Sequence, residues 1–82
     1  NMIIKKEAKG VYKVKDEFNT VYYVEDTRSP NARNLPKDVK GSIEGYWGVW
    51  QEEEHHLSFI NNCTTLAECL KCIALWEDAE HV

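Results

Sequence analysis

Short runs of alternating apolar and polar residues, separated by turn-forming residues, dominate the chain before residue 62. Residues 11–15 and 21–25 alternate and are rich in valine and tyrosine. This pattern is typical of strands that bury one face. The polar segment 16–19 supplies turn residues, so the two runs predict an antiparallel hairpin.

Three further segments extend this pattern. Residues 43–50 predict a third strand, weakened locally by Gly45 and Gly48, which favour a bulge or a close approach of another backbone. Residues 56–60 predict a fourth strand. Residues 2–6 predict either a short strand of their own or the start of a longer first strand. The sheet therefore has four strands, or five if the N-terminal segment pairs separately.

The C-terminal segment has helical periodicity. Thr65 and Glu68 fit a capping box, in which each side chain bonds the other residue's backbone amide. We expect a helix over 66–78, whose apolar stripe consists of Leu66, Cys69, Leu70, Ile73 and Trp76. The predicted fold class is α+β: a four- or five-stranded antiparallel meander with one C-terminal helix packed on one face. At 82 residues, the chain is a single domain, 1–82.

Alternation along the strands assigns each residue to one of two sheet faces. The face under the helix is predicted to carry Tyr12, Val14, Tyr22, Val24, Ile43, Trp47, Val49, Leu57 and Phe59. The opposite face is predicted to carry Val11, Lys13, Lys15, Val21, Tyr23, Glu25, Tyr46, Trp50, Ser58 and Ile60. A register shift of one residue would exchange the two sets.

Aromatic residues on the uncovered face are the predicted partner-binding site. Tyr23, Tyr46 and Trp50, bordered by Lys13 and Lys15, would expose apolar rings to solvent. Tyrosine and tryptophan are frequent anchors of protein interfaces. The alternative is that the proline-containing loop predicted over 27–40, or a second copy of the chain in a homodimer, covers this face.

Charge divides the chain into two halves. Residues 1–40 carry nine Lys/Arg and six Asp/Glu, a net charge of +3, whereas residues 41–82 carry one Lys and eight Asp/Glu, a net charge of −7. Glu52, Glu53 and Glu54 are a secondary candidate, an acidic surface that would bind a basic protein. The alternatives are a solubilising surface, and a fold that mixes the two halves.

Three cysteines, Cys63, Cys69 and Cys72, are too few and too clustered for a disulfide framework and predict free thiols in a reducing compartment, the cytoplasm. Cys69 and Cys72 have C-x-x-C spacing, but no second such pair exists to complete a zinc site. No glycine-rich phosphate loop is present, and nothing in the sequence brings His55 or His56 close to a nucleophile. We therefore expect neither an enzyme nor a cofactor or metal.

The predicted function is a non-enzymatic binding module of the inhibitor or adaptor type that engages another protein. Small proteins of this architecture include host-interaction proteins of phages, so a phage or mobile-element protein is one expectation. The alternative is a single-stranded nucleic-acid-binding domain in which rings stack on bases beside Lys13 and Lys15; the net charge of −4 opposes it. No apolar run is long enough to span a membrane, and Asn1 before Met2 is interpreted as a cloning remnant.

Overall fold

Five antiparallel strands follow one another as a meander and are followed by one helix in a computed structural model that describes residues 2–33 and 46–80. The elements are β1 (Ile3–Ala8), β2 (Val11–Lys15), β3 (Val21–Asp26), β4 (Trp47–Glu52), β5 (Leu57–Cys63) and α1 (Leu66–Glu80). They form one open sheet in the order β1-β2-β3-β4-β5. The predicted α+β class is confirmed, with the N-terminal segment as a separate fifth strand.

Two tight turns shape the N-terminal half of the sheet. Between β1 and β2, Gly10 has a φ of 76°, in the left-handed region that glycine enters without strain. Between β2 and β3, one carboxylate oxygen of Asp16 accepts hydrogen bonds from the amides of Phe18 and Thr20, both at 2.8 Å. Asn19 takes a φ of 65° there, which asparagine tolerates better than most residues. The Asp16 carboxylate therefore closes the predicted hairpin, because it accepts from these two amides in place of a backbone carbonyl.

A β-bulge between β4 and β5 changes which residues of β5 face the helix. Val49 lies opposite Asn61, while Trp50 lies opposite Phe59, so Ile60 is the additional residue of the bulged strand. Ile60 consequently packs against the core under the helix, and Phe59 contacts Trp50 on the opposite face. The predicted faces of Leu57, Ser58, Phe59 and Ile60 are therefore wrong, because simple alternation cannot account for an inserted residue.

The core lies between α1 and one face of the sheet. It consists of Val14, Tyr22, Val24, Val49, Cys69 and Ile73, all buried. The alternation predicted for β2, β3 and the start of β4 is confirmed by these residues and by the packing of Tyr12 and Trp47 against them. The helix contacts β4 and β5, so it covers the C-terminal side of the sheet most closely. We call the sheet face turned away from α1 the outer face.

One of the two hydrogen bonds predicted for the capping box is present at the start of α1. The Glu68 amide donates to the Thr65 hydroxyl at 3.1 Å. The Glu68 carboxylate accepts instead from the hydroxyl of Thr64, not from the predicted Thr65 amide. The negative charge of Glu68 in the first helical turn also interacts favourably with the helix dipole.

Parts of two predicted segments lie outside the described residues. The loop predicted over 27–40 is described as far as Arg33, and the third strand predicted over 43–50 is described from Tyr46 onwards. Within the described part of the chain, no helix combines the length and apolar character that crossing a membrane requires.

Candidate functional site

The strand register brings several predicted site residues into one row on the outer face. Lys13 lies opposite Tyr23, Tyr23 lies opposite Trp50, and Trp50 lies opposite Phe59. Lys5 of β1 completes the row beside Lys13. The predicted grouping of Lys13, Tyr23 and Trp50 therefore exists, whereas Phe59 was missed because the bulge moves it to this face.

Trp50 lies on the predicted face, but its expected exposure is wrong, since only 4% of the residue is accessible. Its indole ring lies over Gly48, where an added Cβ would be 2.3 Å from Cη2. Phe59 packs edge-on against the other side, with ring centroids 5.7 Å apart. The absence of a side chain at Gly48 makes room for the ring, so Trp50 supports the outer face from within rather than projecting from it.

Tyr23 is half-buried beneath an arginine. The Arg33 guanidinium lies 5.5 Å from the centroid of the Tyr23 ring, in cation–π contact. The Arg33 amide donates to the buried carboxylate of Glu25 at 3.0 Å, and its guanidinium lies 3.6 Å from that carboxylate. The segment after β3 thus folds back over the outer face at least as far as Arg33. Tyr23, Arg33, Glu52 and Leu57 line a small cavity there, of about 260 Å³.

Tyr46 lies just before β4 and is also covered by an arginine, although it remains exposed. The Arg28 guanidinium lies 4.8 Å from the centroid of its ring. The Tyr46 carbonyl accepts hydrogen bonds from both the amide and the hydroxyl of Thr27, at 2.8 and 2.7 Å. Arg28 is itself held by Asp26, to which its guanidinium donates twice, at 3.0 and 3.1 Å. Hydrogen bonds from Arg28 hold the pKa of the Asp26 carboxyl below its ordinary value.

Replacing Arg28 by glutamine should raise the pKa of Asp26 towards its ordinary value of 3.8. A depressed pKa means that the interaction stabilises the fold above the ordinary carboxyl pKa and is lost as the pH falls through the lower folded value. Carboxyl carbon shifts followed by NMR during an acid titration measure this change. The matched variant Arg33→Gln should leave Asp26 unaltered, and an equal shift in both variants would contradict the pairing.

The remaining predicted residues lie at the margins of the outer face. Lys13 is half-buried and Lys15 is exposed two positions further along β2. Glu52, the last residue of β4, and Glu53 and Glu54 in the turn that follows are all exposed. The Tyr23 hydroxyl lies 3.4 Å from a Glu52 carboxylate oxygen, so the acidic turn adjoins the tyrosine.

Alternation along the strands did not predict a groove that lies between β5 and α1. Its volume is about 580 Å³, and its lining includes Ile60, Cys63, Cys72, Leu75 and Trp76, with Glu68 and Lys71 among the polar residues. The Trp76 indole donates a hydrogen bond to the Gln51 side chain at 3.0 Å, which fixes the ring at one end of the groove. Leu75 lies outside the apolar stripe predicted for α1 and is exposed. Only the packing of α1 beside β5 shows that Leu75 borders a groove.

The three cysteines converge where β5 meets α1. Cys63 and Cys72 both line the groove, Cys63 packs against the core that contains Cys69, and the Asn61 amide lies 3.7 Å from the sulfur of Cys72. All three cysteines are free, and burial raises the pKa of Cys63 and, further, of Cys69. Both therefore stay protonated near neutral pH, a form that is a weak nucleophile. In residues 2–33 and 46–80, no three His, Cys, Asp or Glu side chains form a group that could hold a metal ion.

The charge division of the sequence persists in space, because the strand order follows the chain order. Residues 2–33, which include β1 to β3, carry seven Lys/Arg and five Asp/Glu, a net charge of +2. Residues 46–80, which include β4, β5 and α1, carry one Lys and seven Asp/Glu, a net charge of −6. Within these two ranges, the β1–β3 side therefore has a positive net charge and the side of β4, β5 and α1 is strongly acidic.

Comparisons with protein families, with curated proteins and with solved structures find no match for this chain.

Proposed function

We propose that this chain is a non-enzymatic protein-binding module of the inhibitor or adaptor type, such as a phage or mobile element would encode. One observation carries the proposal: three large apolar side chains stay accessible on the two sides of β5. Phe59 is 40% exposed on the outer face, and Leu75 and Trp76 are 62% and 37% exposed beside the groove. We call these three residues the β5 rim.

The β5 rim has the composition of an interface centre. Aromatic and large aliphatic side chains contribute most of the binding energy in protein interfaces when a partner excludes water from them. The groove beside Leu75 and Trp76 is a concave surface on which an apolar side chain of the partner can bind. Glu68 and Lys71 provide polar groups at its border.

The predicted site residues fit this surface to different degrees. Tyr23 lies two strands away from Phe59 on the outer face, with Trp50 between them, and extends the surface towards Lys13 and Lys15. Trp50 supports Phe59 through their edge-on contact. Tyr46 lies at the far end of β4 from Glu52 and belongs to the margin. The acidic turn from Glu52 to Glu54 adjoins the surface and favours a partner with basic groups.

Nucleic acid is the weaker candidate. Lys5, Lys13 and Lys15 form a basic strip on the outer face, which supports contact with phosphates. Stacking on bases needs accessible rings, whereas Trp50 is buried and Tyr23 lies beneath Arg33. The free thiols fit a reducing compartment such as the cytoplasm. Burial raises the pKa values of Cys63 and Cys69, which argues against either thiol as a catalytic nucleophile.

The proposal is tested by capturing proteins from the native host with tagged protein. We expect the wild type to retain a partner in fixed proportion, and the variants Phe59→Lys and Leu75→Lys to lose it, because a charge on the β5 rim cannot be desolvated without a counter-ion. The matched control Ile3→Lys places the same charge on an exposed apolar residue of the opposite edge and should retain the partner. Circular dichroism first establishes that all variants fold. Equal capture by every folded variant would refute the proposed surface.

A further inference from the structure

The sheet ends in two strands, β1 and β5, whose outer edges have no partner strand among the residues described. The unpaired amides and carbonyls of an edge strand are a template on which another strand can add. β1 has six residues and β5 has seven, so the two edges are similar in length.

Both edges expose apolar side chains on both faces. On β1, the adjacent residues Ile3 and Ile4 point to opposite faces and are 70% and 46% exposed. On the other side, Phe59 lies on the outer face of β5, and Leu75 and Trp76 lie on its helix side. Pairing of the two edges would bury apolar groups above and below the joined sheet, which favours association.

The charges of the two edges are opposite. β1 carries Lys5, Lys6 and Glu7, a net charge of +1, and the Lys5 ammonium lies 4.0 Å from the Glu7 carboxylate. β5 contains no charged residue, but the acidic turn from Glu52 to Glu54 precedes it, and Glu68 and Lys71 border its groove, a net charge of −3 in all. Pairing β1 with β1 would join two surfaces of net positive charge, and pairing β5 with β5 would join two surfaces of net negative charge. Only the pairing of unlike edges joins surfaces of opposite net charge.

We propose that this protein self-assembles head to tail, with β1 of one copy adding to the β5 edge of the next copy as a sixth strand. Such a contact uses two different surfaces and leaves one free edge of each kind, so it propagates into an open chain of subunits. The inference goes beyond the proposed function. Because assembly covers the β5 rim, it competes with the binding of another protein there and makes the free surface dependent on concentration.

The test uses two variants, each with one altered edge. Lys5→Glu with Lys6→Glu makes β1 acidic, and Phe59→Lys with Leu75→Lys makes the β5 rim basic. We expect the mean mass of the wild type in sedimentation velocity to rise with concentration and to fall as salt is added, because salt screens the charges. Each variant alone should remain monomeric, and an equimolar mixture should regain association through one unaltered edge from each variant.

Controls separate this inference from a general effect of charge. Lys9→Glu with Lys15→Glu changes the net charge as much as the β1 variant does and leaves both edge strands unaltered, so it should still associate. If the β1 variant alone dimerises, the contact is between two β5 edges and the inference is wrong. A wild type that stays monomeric at every concentration, or a control that behaves like the β1 variant, also overturns it. Circular dichroism confirms that each variant folds; if the double β1 variant does not, Lys6→Glu alone replaces it.

Discussion

Replacing Trp50 by alanine should lower the free energy of unfolding by about 3–5 kcal/mol, the usual cost of truncating a buried tryptophan. The indole is only 4% exposed and fills the space over Gly48 and beside Phe59. Alanine would leave a cavity that the surrounding strands cannot close, because the register holds them at fixed separation. Since small domains have a total stability of only about 5–15 kcal/mol, urea denaturation should show a large fall in the midpoint.

The matched control is Phe59→Ala, which removes an aromatic ring from the same row of the sheet. Phe59 is 40% exposed, so its loss should cost clearly less than the loss of Trp50. A stability loss at Phe59 equal to that at Trp50 would contradict the assignment of Phe59 to the accessible surface. If Trp50→Ala leaves the free energy of unfolding nearly unchanged, the indole is not part of the packed interior and is again a candidate partner-binding anchor.

Replacing Gly48 by alanine should destabilise the fold by about 1–3 kcal/mol, as overpacking of a filled site does. The new Cβ would lie 2.3 Å from Cη2 and 2.6 Å from Cζ3 of Trp50, closer than carbon atoms can approach. A planar ring cannot bend away from one methyl group, so the whole indole has to move. The change in unfolding free energy, measured by urea denaturation, gives the size of this effect.

A double-mutant cycle separates the ring contact from other effects of the glycine. In the background of Trp50→Leu, whose side chain is shorter than an indole, Gly48→Ala should cost little or nothing. The difference between the two backgrounds is the coupling energy, and contacting residues commonly give about 0.5–3 kcal/mol. The same cost in both backgrounds would show that the backbone at Gly48, and not the ring of Trp50, excludes a side chain.

Local patterns in the sequence were sufficient for most of the fold. Alternation in β2 and β3 predicted which side chains enter the core, and Val14, Tyr22 and Val24 are buried as expected. The Thr65 cap predicted where α1 begins, and its hydroxyl does accept from the Glu68 amide. These predictions succeed because strand alternation and helix capping depend on neighbours within a few residues along the chain.

The candidate site was harder to predict because it depends on contacts between distant segments. The bulge at Ile60 places Phe59 and Ile60 on the faces opposite to those predicted. No local sequence pattern in β5 predicts this bulge. The two arginines over Tyr23 and Tyr46 come from the segment after β3, whose path is set by the pairing of Arg33 with Glu25 and of Arg28 with Asp26. Each of these features arises only after the strands have been brought together.

The sequence by itself determined the α+β class, the hairpin of β2 and β3, the helix start and the opposite charges of the two halves, since each is a property of residue order. A meander adds strands in the order of the chain, so the charge division carried over into space. Tertiary structure alone decided that Trp50 is enclosed, that Phe59 is accessible and that α1 leaves a groove beside β5. The physical reason is that a ring's exposure depends on the volume its spatial neighbours leave free, which here is set by one missing side chain at Gly48 and one inserted residue in β5.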